Sequence, residues 1–256
     1  MLDLSNRLQT AIHITETAAT VALSYFRGDP SIEIKADLSP VTVADQHTEQ
    51  VIRDSLARAF PGEAIFGEEF GQTGKGTSLW IIDPIDGTRS FITGLPLFGM
   101  LLGFVKDEKP QLGIIRMPAL GEVYAGATGL GATCNGAPIT VSACQRLSSA
   151  RLFINEADRI AVSEPDIFAR LVRAGDLRRI GADCYPHALV ARGLADAVID
   201  YGLQPYDYLP VCAVVEAAGG IMTDWQGAPL TMASDGRTVT AATPELHAEL
   251  LALVKP

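Results

Sequence analysis

The sequence is short of paired cysteines, positive charge and long apolar runs, and each shortage excludes a class of protein. None of its four cysteines stands in a C-x-x-C pair, which argues against a zinc ribbon or a thioredoxin-like redox site. We expect four reduced, mostly buried thiols, as in a cytoplasmic protein, at Cys134, Cys144, Cys184 and Cys212. Twenty Lys and Arg against 30 Asp and Glu give a net charge of −10 without a basic cluster, so no nucleic-acid partner is expected.

The chain also lacks the apolar segments that membranes and secretion require. No uncharged apolar stretch approaches the roughly 18 residues of a spanning helix, and the N-terminus does not have the pattern of a signal peptide. We therefore expect no membrane partner and a cytoplasmic location. No complete P-loop and no G-x-S-x-G elbow is found either, which argues against a P-loop nucleotide site and a serine hydrolase.

What is present indicates a folded chain of 256 residues with two differently patterned halves. Apolar residues at helical spacing predict helices over residues 4–26 and 45–59. Short apolar runs between turn clusters then predict an antiparallel meander, with strands over 99–105, 111–115 and 122–127. Strand-like and helix-like segments alternate after about residue 150. We divide the chain into an N-terminal α+β half, 1–145, and a C-terminal α/β half, 146–256, packed tightly as one functional unit.

The segment Asp83-Pro84-Ile85-Asp86 is the most informative stretch for function. Asp followed by Pro predicts a β-turn, which would bring the carboxylates of Asp83 and Asp86 close together. Two such carboxylates repel each other unless a proton or a cation lies between them. Together with the backbone carbonyl of Ile85, they offer the hard oxygen ligands that suit Mg²⁺. The alternative is an Asx-turn, with one capping and one solvated aspartate.

Three further acidic residues are candidates for the same site. Glu68 follows a strand-like segment, Asp207 precedes an apolar helical stretch, and Asp45 lies near a predicted helix start. Each also has a simple local explanation. Glu68 could be a surface charge, Asp207 an N-cap residue and Asp45 a charge at a helix N-terminus.

Several ordered motifs extend across nearly the whole chain. They are T-x-A-D-Q at 42–46, G-E-E at 67–69, W-I-I-D-P-I-D-G-T at 80–88, G-L-A-D at 193–196 and E-A-A-G-G at 216–220. With these motifs the sequence resembles the inositol monophosphatase family of Mg²⁺-dependent, lithium-sensitive phosphatases.

The resemblance implies a site with two or three Mg²⁺ ions that activate water to hydrolyse a phosphomonoester. It implies the following metal ligands: Glu68, Asp83 and the Ile85 carbonyl for the first ion, and Asp83, Asp86 and Asp207 for the second. A third, weaker ion would share Glu68. The implied catalytic residues are Thr88, Asp45 and Glu68, and the implied phosphate-binding amides are those of Gly87, Thr88 and Arg89. Lys35 would lie near the site. The partner would be a small phosphorylated metabolite.

The substrate is the open question within the family. The usual aromatic-Asp motif is W-D-x-x-A-G, whereas here it is Tyr206-Asp207-Tyr208. This departure, together with the segments 181–185 and 89–94, resembles the histidinol-phosphate phosphatase branch. L-Histidinol phosphate is therefore the expected substrate, and the carboxylates of Asp183 and Asp200 would suit its cationic amino alcohol. The alternatives are an inositol or sugar phosphate as substrate, and Asp183 as a helix N-cap.

The resemblance also implies a fold and an assembly. The fold would be a layered α-β-α-β-α sandwich, with an antiparallel sheet in the N-terminal half and a mixed sheet in the C-terminal half. The assembly would be a homodimer. An aspartyl-phosphate phosphatase and a non-catalytic binding protein are further alternatives, although the D-x-x-D spacing and the filled ligand positions argue against them.

Overall fold

The helices agree with the predicted periodicity in the computed structural model, which describes residues 3–28, 32–34 and 40–255. Those parts of the chain contain eight α-helices: α1 Leu4–Tyr25, α2 Val43–Ala59, α3 Thr88–Ile92, α4 Ala157–Ser163, α5 Pro165–Leu171, α6 Tyr185–Ala191, α7 Pro205–Ala217 and α8 Pro244–Leu253. The two helices predicted over residues 4–26 and 45–59 are confirmed as α1 and α2. Within the same residues, no helix has both the length and the apolar character that crossing a membrane demands.

The described strands form three sheets. In chain order they are β1 Ile32–Ile34, β2 Pro40–Thr42, β3 Ala64–Gly67, β4 Gly71–Thr73, β5 Ser78–Asp86, β6 Gly99–Lys106, β7 Lys109–Met117, β8 Glu122–Ala127, β9 Gly131–Cys134, β10 Ala137–Ile139, β11 Arg151–Ile154, β12 Leu177–Ile180, β13 Ala197–Asp200, β14 Ile221–Asp224 and β15 Thr238–Ala241. Strands β6, β7 and β8 are the predicted meander, which is thereby confirmed.

Strand order separates the two halves of the chain. The first large sheet has the order β10-β9-β8-β7-β6-β5-β3-β4 and is antiparallel except for the pair β3 and β5. The second has the order β12-β11-β13-β15-β14, in which β11 runs parallel to β12 and β13 while the other pairs are antiparallel. A separate pair joins β1 to β2. The predicted mixed sheet in the C-terminal half is confirmed.

Buried side chains join these sheets and helices into five layers. One face of the eight-stranded sheet, with Trp80 and Leu102, packs on α1 and α2. Its other face, with Ile81 and Leu101, packs on α6 and α7. These two helices also contact the five-stranded sheet, for example through Met222, and the far face of that sheet packs on α4, α5 and α8. The α-β-α-β-α sandwich implied by the resemblance is confirmed.

Glycines on the eight-stranded sheet let α7 approach it closely. A Cβ atom on Gly113 would lie 2.8 Å from the carbonyl carbon of Pro210, and one on Gly126 would lie 2.9 Å from the Cα of Val214. Real Cβ atoms essentially never come so close to other heavy atoms. The helix that carries Asp207 therefore lies directly against the sheet that carries Asp83 and Asp86.

Candidate active site and metal centre

A β-bulge at the end of β5 brings Asp83 and Asp86 to the same side of the strand. Asp83 pairs with Leu101 and Asp86 with Gly99, so three residues of β5 advance against two of β6. Residues three apart in a regular strand face opposite sides, and the extra residue of the bulge cancels that alternation. The Ile85 N–H donates to Asp83 Oδ1 at 3.1 Å. The predicted β-turn is wrong because this segment stays in the strand, but the two carboxylates do lie close together.

Asp207 completes the acidic cluster from the first turn of α7. Gln204 is the N-cap of this helix, and its N–H donates to Asp207 Oδ2 at 2.7 Å in a capping box. Asp207 is therefore the third helical residue and not the N-cap that we considered as an alternative. One carboxylate oxygen each of Asp83, Asp86 and Asp207 lies within 4.8 Å of the others. Three carboxylates from β5 and α7 thus share one small volume.

Burial and mutual repulsion make this cluster a strong acceptor for a cation. Burial, followed by the carboxylates of Glu68, Asp86 and Asp207, raises the pKa of Asp83 well above its usual range. Burial and Asp183 raise the pKa of Asp86 to about 7. Burial and Asp86 likewise raise the pKa of Asp207 well above its usual range. A divalent cation would relieve this repulsion, and an all-oxygen donor set fits Mg²⁺.

Glu68 lies beside the cluster and is held there by a buried network that the sequence analysis missed. The Glu68 N–H donates to the Ile82 carbonyl at 3.1 Å, and its side chain contacts that of Asp83. The next residue, Glu69, donates its N–H to Glu49 Oε2 at 2.7 Å. Glu49 is fully buried and accepts the Arg53 Nε at 2.6 Å. The helical i,i+4 spacing of Glu49 and Arg53 was the one available signal.

Asp45 and Thr88 meet next to the cluster. Asp45 is fully buried at the start of α2, where its Oδ2 accepts the Thr42 N–H at 2.8 Å and the Thr42 hydroxyl at 2.6 Å. The Thr88 hydroxyl is 3.4 Å from Asp45 Oδ1 and 3.2 Å from the Ile85 carbonyl oxygen. Burial raises the pKa of Asp45, and the Glu68 carboxylate adds to that effect. Asp45 is therefore a helix-capping residue that also reaches the site.

Gly87 connects β5 to α3 in a conformation that favours glycine. Its φ of 79° and ψ of 46° are left-handed, and a Cβ there would lie 2.7 Å from Asp183 Oδ2. The chain then enters α3, whose first N–H groups have no partners within the helix. Arg89 is in this turn, with its exposed guanidinium 4.0 Å from Glu156. Gly87, Thr88 and Arg89 line the same cleft as Asp83 and Asp207.

Asp183 lies directly before α6 and does not cap it. The N-cap residue of α6 is Cys184, whose N–H donates to Asp86 Oδ2 at 2.7 Å. Asp183 Oδ2 instead accepts the Ser90 hydroxyl at 2.6 Å. Burial raises the pKa of Asp183, which the Ser90 hydrogen bond opposes and Asp200 reinforces. The N-cap alternative for Asp183 is therefore wrong.

Asp200 is buried at the end of β13 within a polar network. Its Oδ2 accepts Asn155 Nδ2 at 2.7 Å and lies 3.2 Å from His187 Nε2. A cleft of about 490 Å³ is lined by these residues, by Asp183 and by the cluster members Asp86 and Asp207. Neither Asn155 nor His187 was among the site residues predicted from the sequence. Lys35 lies outside the described residues.

Comparison with known proteins decides the family. The sequence model of the inositol monophosphatase family matches residues 3–256. The chain belongs to the inositol monophosphatase family. It is 38% identical over 252 residues to histidinol-phosphatase from Chlorobaculum parvum, covering 96% of each chain. It is 36% identical over 248 residues to the bifunctional phosphatase IMPL2, chloroplastic, from Arabidopsis thaliana, covering 93% of this chain and 72% of that protein.

A solved structure agrees with this assignment. An inositol monophosphatase from Zymomonas mobilis is similar with a TM-score of 0.89 at 34% identity, and the match covers 99% of both chains. The resemblance stated from the motifs is thereby confirmed. As a member of this metal-dependent family, the protein is a phosphoric monoester hydrolase that acts on small phosphorylated compounds.

Proposed function

We propose that this family member is a Mg²⁺-dependent histidinol-phosphatase, which hydrolyses L-histidinol phosphate to L-histidinol and phosphate. The observation that carries the proposal is the position of Asp183 and Asp200, which line the same cleft as Asp86 and Asp207. The substrate has an ammonium group on the carbon next to its ester carbon. Two carboxylates beyond the acidic cluster suit such a cation better than a neutral polyol. The name of the Chlorobaculum parvum relative, histidinol-phosphatase, supports this choice.

The proposed metal ligands are the carboxylates of Glu68, Asp83, Asp86 and Asp207 and the backbone carbonyl of Ile85. The proximity of three of these carboxylates and their burial fit a divalent cation with oxygen ligands. A Mg²⁺ ion held by these residues would supply Lewis-acid chemistry, which polarises a phosphoryl group and lowers the pKa of water toward neutral. We propose two ions for each site, and a third, weaker one that shares Glu68.

Thr88 and Asp45 are the proposed pair that orients the attacking water, with Glu68 beside them. The Thr88 hydroxyl donates toward Asp45 Oδ1, which leaves the lone pairs of the Thr88 oxygen available to accept a proton from water. Asp45 is fixed for this role because Thr42 holds its other carboxylate oxygen. The resulting chain of hydrogen bonds can move a proton away from the water as it attacks.

The proposed phosphate site is the turn from Gly87 into α3. The left-handed conformation of Gly87 turns the next amides, those of Thr88 and Arg89, toward the cleft that the acidic cluster also lines. Backbone N–H groups in this arrangement bind anionic oxygens. The phosphate would then lie between these amides and the metal ligands.

Phosphate release from a small panel tests the proposal. The panel holds L-histidinol phosphate, myo-inositol 1-phosphate and fructose 1,6-bisphosphate, each with and without Mg²⁺. We expect Mg²⁺-dependent hydrolysis with the highest kcat/KM for L-histidinol phosphate. A clear preference for either of the other substrates would contradict the proposed substrate.

Removing one charge from the cleft sharpens the test. Asp183→Asn keeps the size of the side chain and an oxygen for the Ser90 hydroxyl, but it removes the negative charge. We expect kcat/KM for L-histidinol phosphate to fall about tenfold and that for myo-inositol 1-phosphate to stay within about threefold. The matched control is Asp166→Asn, which removes one charge from the exposed side of α5 and should change neither value.

Inositol monophosphate is the second candidate substrate, because the similar solved structure from Zymomonas mobilis is named an inositol monophosphatase. The same metal ligands would serve it, and Asp183 would then contribute nothing to selectivity. Equal effects of Asp183→Asn on both substrates would favour this alternative.

We also propose lithium sensitivity, a homodimer, a cytoplasmic location, and functional halves at 1–145 and 146–256, on the family resemblance. Light scattering of the purified protein tests the dimer, and inhibition by Li⁺ at fixed Mg²⁺ tests the lithium sensitivity. A monomeric mass by light scattering would contradict the proposed homodimer. Full activity in the presence of Li⁺ would contradict the proposed lithium sensitivity.

A further inference from the structure

Three parallel strands of the five-stranded sheet end at the same edge of one cleft. Strand β11 ends just before Asn155, β13 ends at Asp200, and β12 runs into the loop that carries Asp183. In sheets with parallel strands, ligands bind outside the carboxyl ends of those strands. Asp183 and Asp200 have proposed roles in this cleft, whereas Asn155 lines it without one.

The hydrogen bonds of Asn155 determine which way its amide points. Its Nδ2 donates to the Asp183 carbonyl oxygen at 2.8 Å and to Asp200 Oδ2 at 2.7 Å. Both partners can only accept, so the nitrogen must face them and the oxygen must face elsewhere. Asn155 is 3% exposed, and its Oδ1 is buried without a hydrogen-bond partner among the described residues.

An unpaired acceptor in a buried position calls for a donor. Leaving such a group unsatisfied is unfavourable because its hydration is lost without replacement, so buried polar atoms nearly always have a partner. Asn155 lines the cleft together with Asp183 and Asp200, and a positively charged N–H donor bound there would suit the amide oxygen and both carboxylates. The ammonium group of an amino alcohol phosphate is such a donor.

A second layer of side chains fixes Asp200 independently of Asn155. His187 is buried, with Nε2 3.2 Å from Asp200 Oδ2 and Nδ1 2.9 Å from the Thr240 hydroxyl. The Tyr201 N–H donates to Asp200 Oδ1 at 2.8 Å. Because Asp200 has these other donors, a change at Asn155 that removes Oδ1 leaves Asp200 partly held. The two roles of Asn155 can therefore be separated by experiment.

We propose that Asn155 is a specificity-determining residue whose Oδ1 accepts a hydrogen bond from the ammonium group of the substrate. This proposal rests on the proposed function, since it assumes a substrate with a charged amine near the ester carbon. It adds a neutral acceptor to the two carboxylates, and a neutral acceptor recognises the direction of an N–H bond as well as its charge.

Product inhibition of the holoenzyme tests this role. L-Histidinol occupies only the leaving-group side of the site, and inorganic phosphate only the metal side, so their inhibition constants report the two sides separately. For Asn155→Leu we expect the inhibition constant of L-histidinol to rise roughly ten- to a hundredfold, the range for a hydrogen bond to a charged group. The inhibition constant of phosphate should change less than threefold. Asn155→Ala provides the same comparison if the leucine variant does not fold.

Thr240→Val is the matched control, because it loosens the support of Asp200 through His187 and leaves Asn155 Oδ1 in place. We expect it to change the L-histidinol constant less than threefold. The proposal is overturned if Asn155→Leu raises the inhibition constants of L-histidinol and phosphate equally, or raises neither of them. It is also overturned if Thr240→Val raises the L-histidinol constant as much as Asn155→Leu does. If the unaltered protein fails to hydrolyse L-histidinol phosphate, the proposed function fails first. If it hydrolyses this substrate while Asn155→Leu has no selective effect, only the role of Asn155 fails.

Discussion

Replacing Gly67 by alanine tests how the fold holds Glu68 in place. Gly67 is the last residue of β3, in strand backbone that any residue can adopt, so alanine adds no conformational strain. A Cβ atom at this position would lie 2.5 Å from Cδ of Glu49 and 2.8 Å from its Oε2. Either the Glu49 carboxylate or the strand must move.

The cost follows from what the Glu49 carboxylate holds. It accepts Arg53 Nε at 2.6 Å, the Glu69 N–H at 2.7 Å and the Phe70 N–H at 3.3 Å, and the ion pair with Arg53 is buried. Breaking a buried ion pair costs about 3–5 kcal/mol because it leaves a buried charge without its partner. We therefore expect Gly67→Ala to lower the free energy of unfolding by about 3–5 kcal/mol, which corresponds to a Tm decrease of roughly 6–20 °C.

Chemical denaturation and Mg²⁺ calorimetry measure the two consequences. Because Glu68 follows Gly67 directly, the folded variant should also bind Mg²⁺ about 10–100-fold more weakly, as when a residue supporting a metal ligand is lost. The control is Gly62→Ala, where φ is +87° but a Cβ meets no other described residue within 4 Å. Its cost should be only the backbone strain of about 1–2 kcal/mol, with unchanged Mg²⁺ affinity. A Gly67→Ala variant no less stable than Gly62→Ala would refute the reasoning.

Three further predictions concern the acidic cluster and its setting. Asp207→Asn should reduce Mg²⁺-dependent kcat by roughly 1,000-fold, since a ligand oxygen contributes several kcal/mol. The Tm of the metal-free protein should rise, because the repulsion between residue 207 and Asp86 falls. Unchanged activity would contradict the proposed role of Asp207 as a metal ligand. Burial and Asp183 raise the pKa of Asp86 to about 7. The protonated carboxyl of Asp86 therefore stabilises the metal-free protein fully below about pH 4, and this stabilisation is lost as the pH rises through 7. That loss is on the order of 4 kcal/mol, and a Tm that did not fall between pH 4 and 8 without Mg²⁺ would contradict it. Gly113→Ala should lower the metal-free Tm by several degrees because its Cβ meets Pro210, whereas Gly121→Ala, whose Cβ meets no described residue within 4 Å, should show only backbone strain.

Local patterns predicted those parts of the fold that depend on neighbouring residues. The apolar spacing of α1 and α2 and the short runs of β6 to β8 are properties of single segments, and these elements agree with the prediction. The proximity of Asp83 and Asp86 was also predicted, but its cause was not. A β-bulge is a mismatch between two strands, and Gly99 on β6 is as much a part of it as Asp86.

The residues that the sequence analysis missed are defined by distant partners. Asn155 meets Asp200, which is 45 residues further along the chain, and Glu49 meets the N–H of Glu69, which is 20 residues further. No spacing rule relates such pairs, because the distance between them is set by sheet order and by crossover connections. One signal was available for Asn155. A polar residue directly after an apolar strand is expected at the ligand-binding edge when neighbouring strands run parallel.

The acidic cluster spans the contact between the eight-stranded sheet and α7, and this position links metal binding to stability. Asp83 and Asp86 belong to the eight-stranded sheet, whereas Asp207 belongs to α7, and glycines such as Gly113 allow the close packing between them. Without a cation, repulsion within the cluster acts directly against this packing. A cation that binds only the folded arrangement stabilises it by RT ln(1 + [L]/Kd), which is about 2.7 kcal/mol at a hundredfold excess over Kd. The first opening of the metal-free protein is therefore expected where α7 meets β5, as faster amide exchange at these elements on Mg²⁺ removal would show.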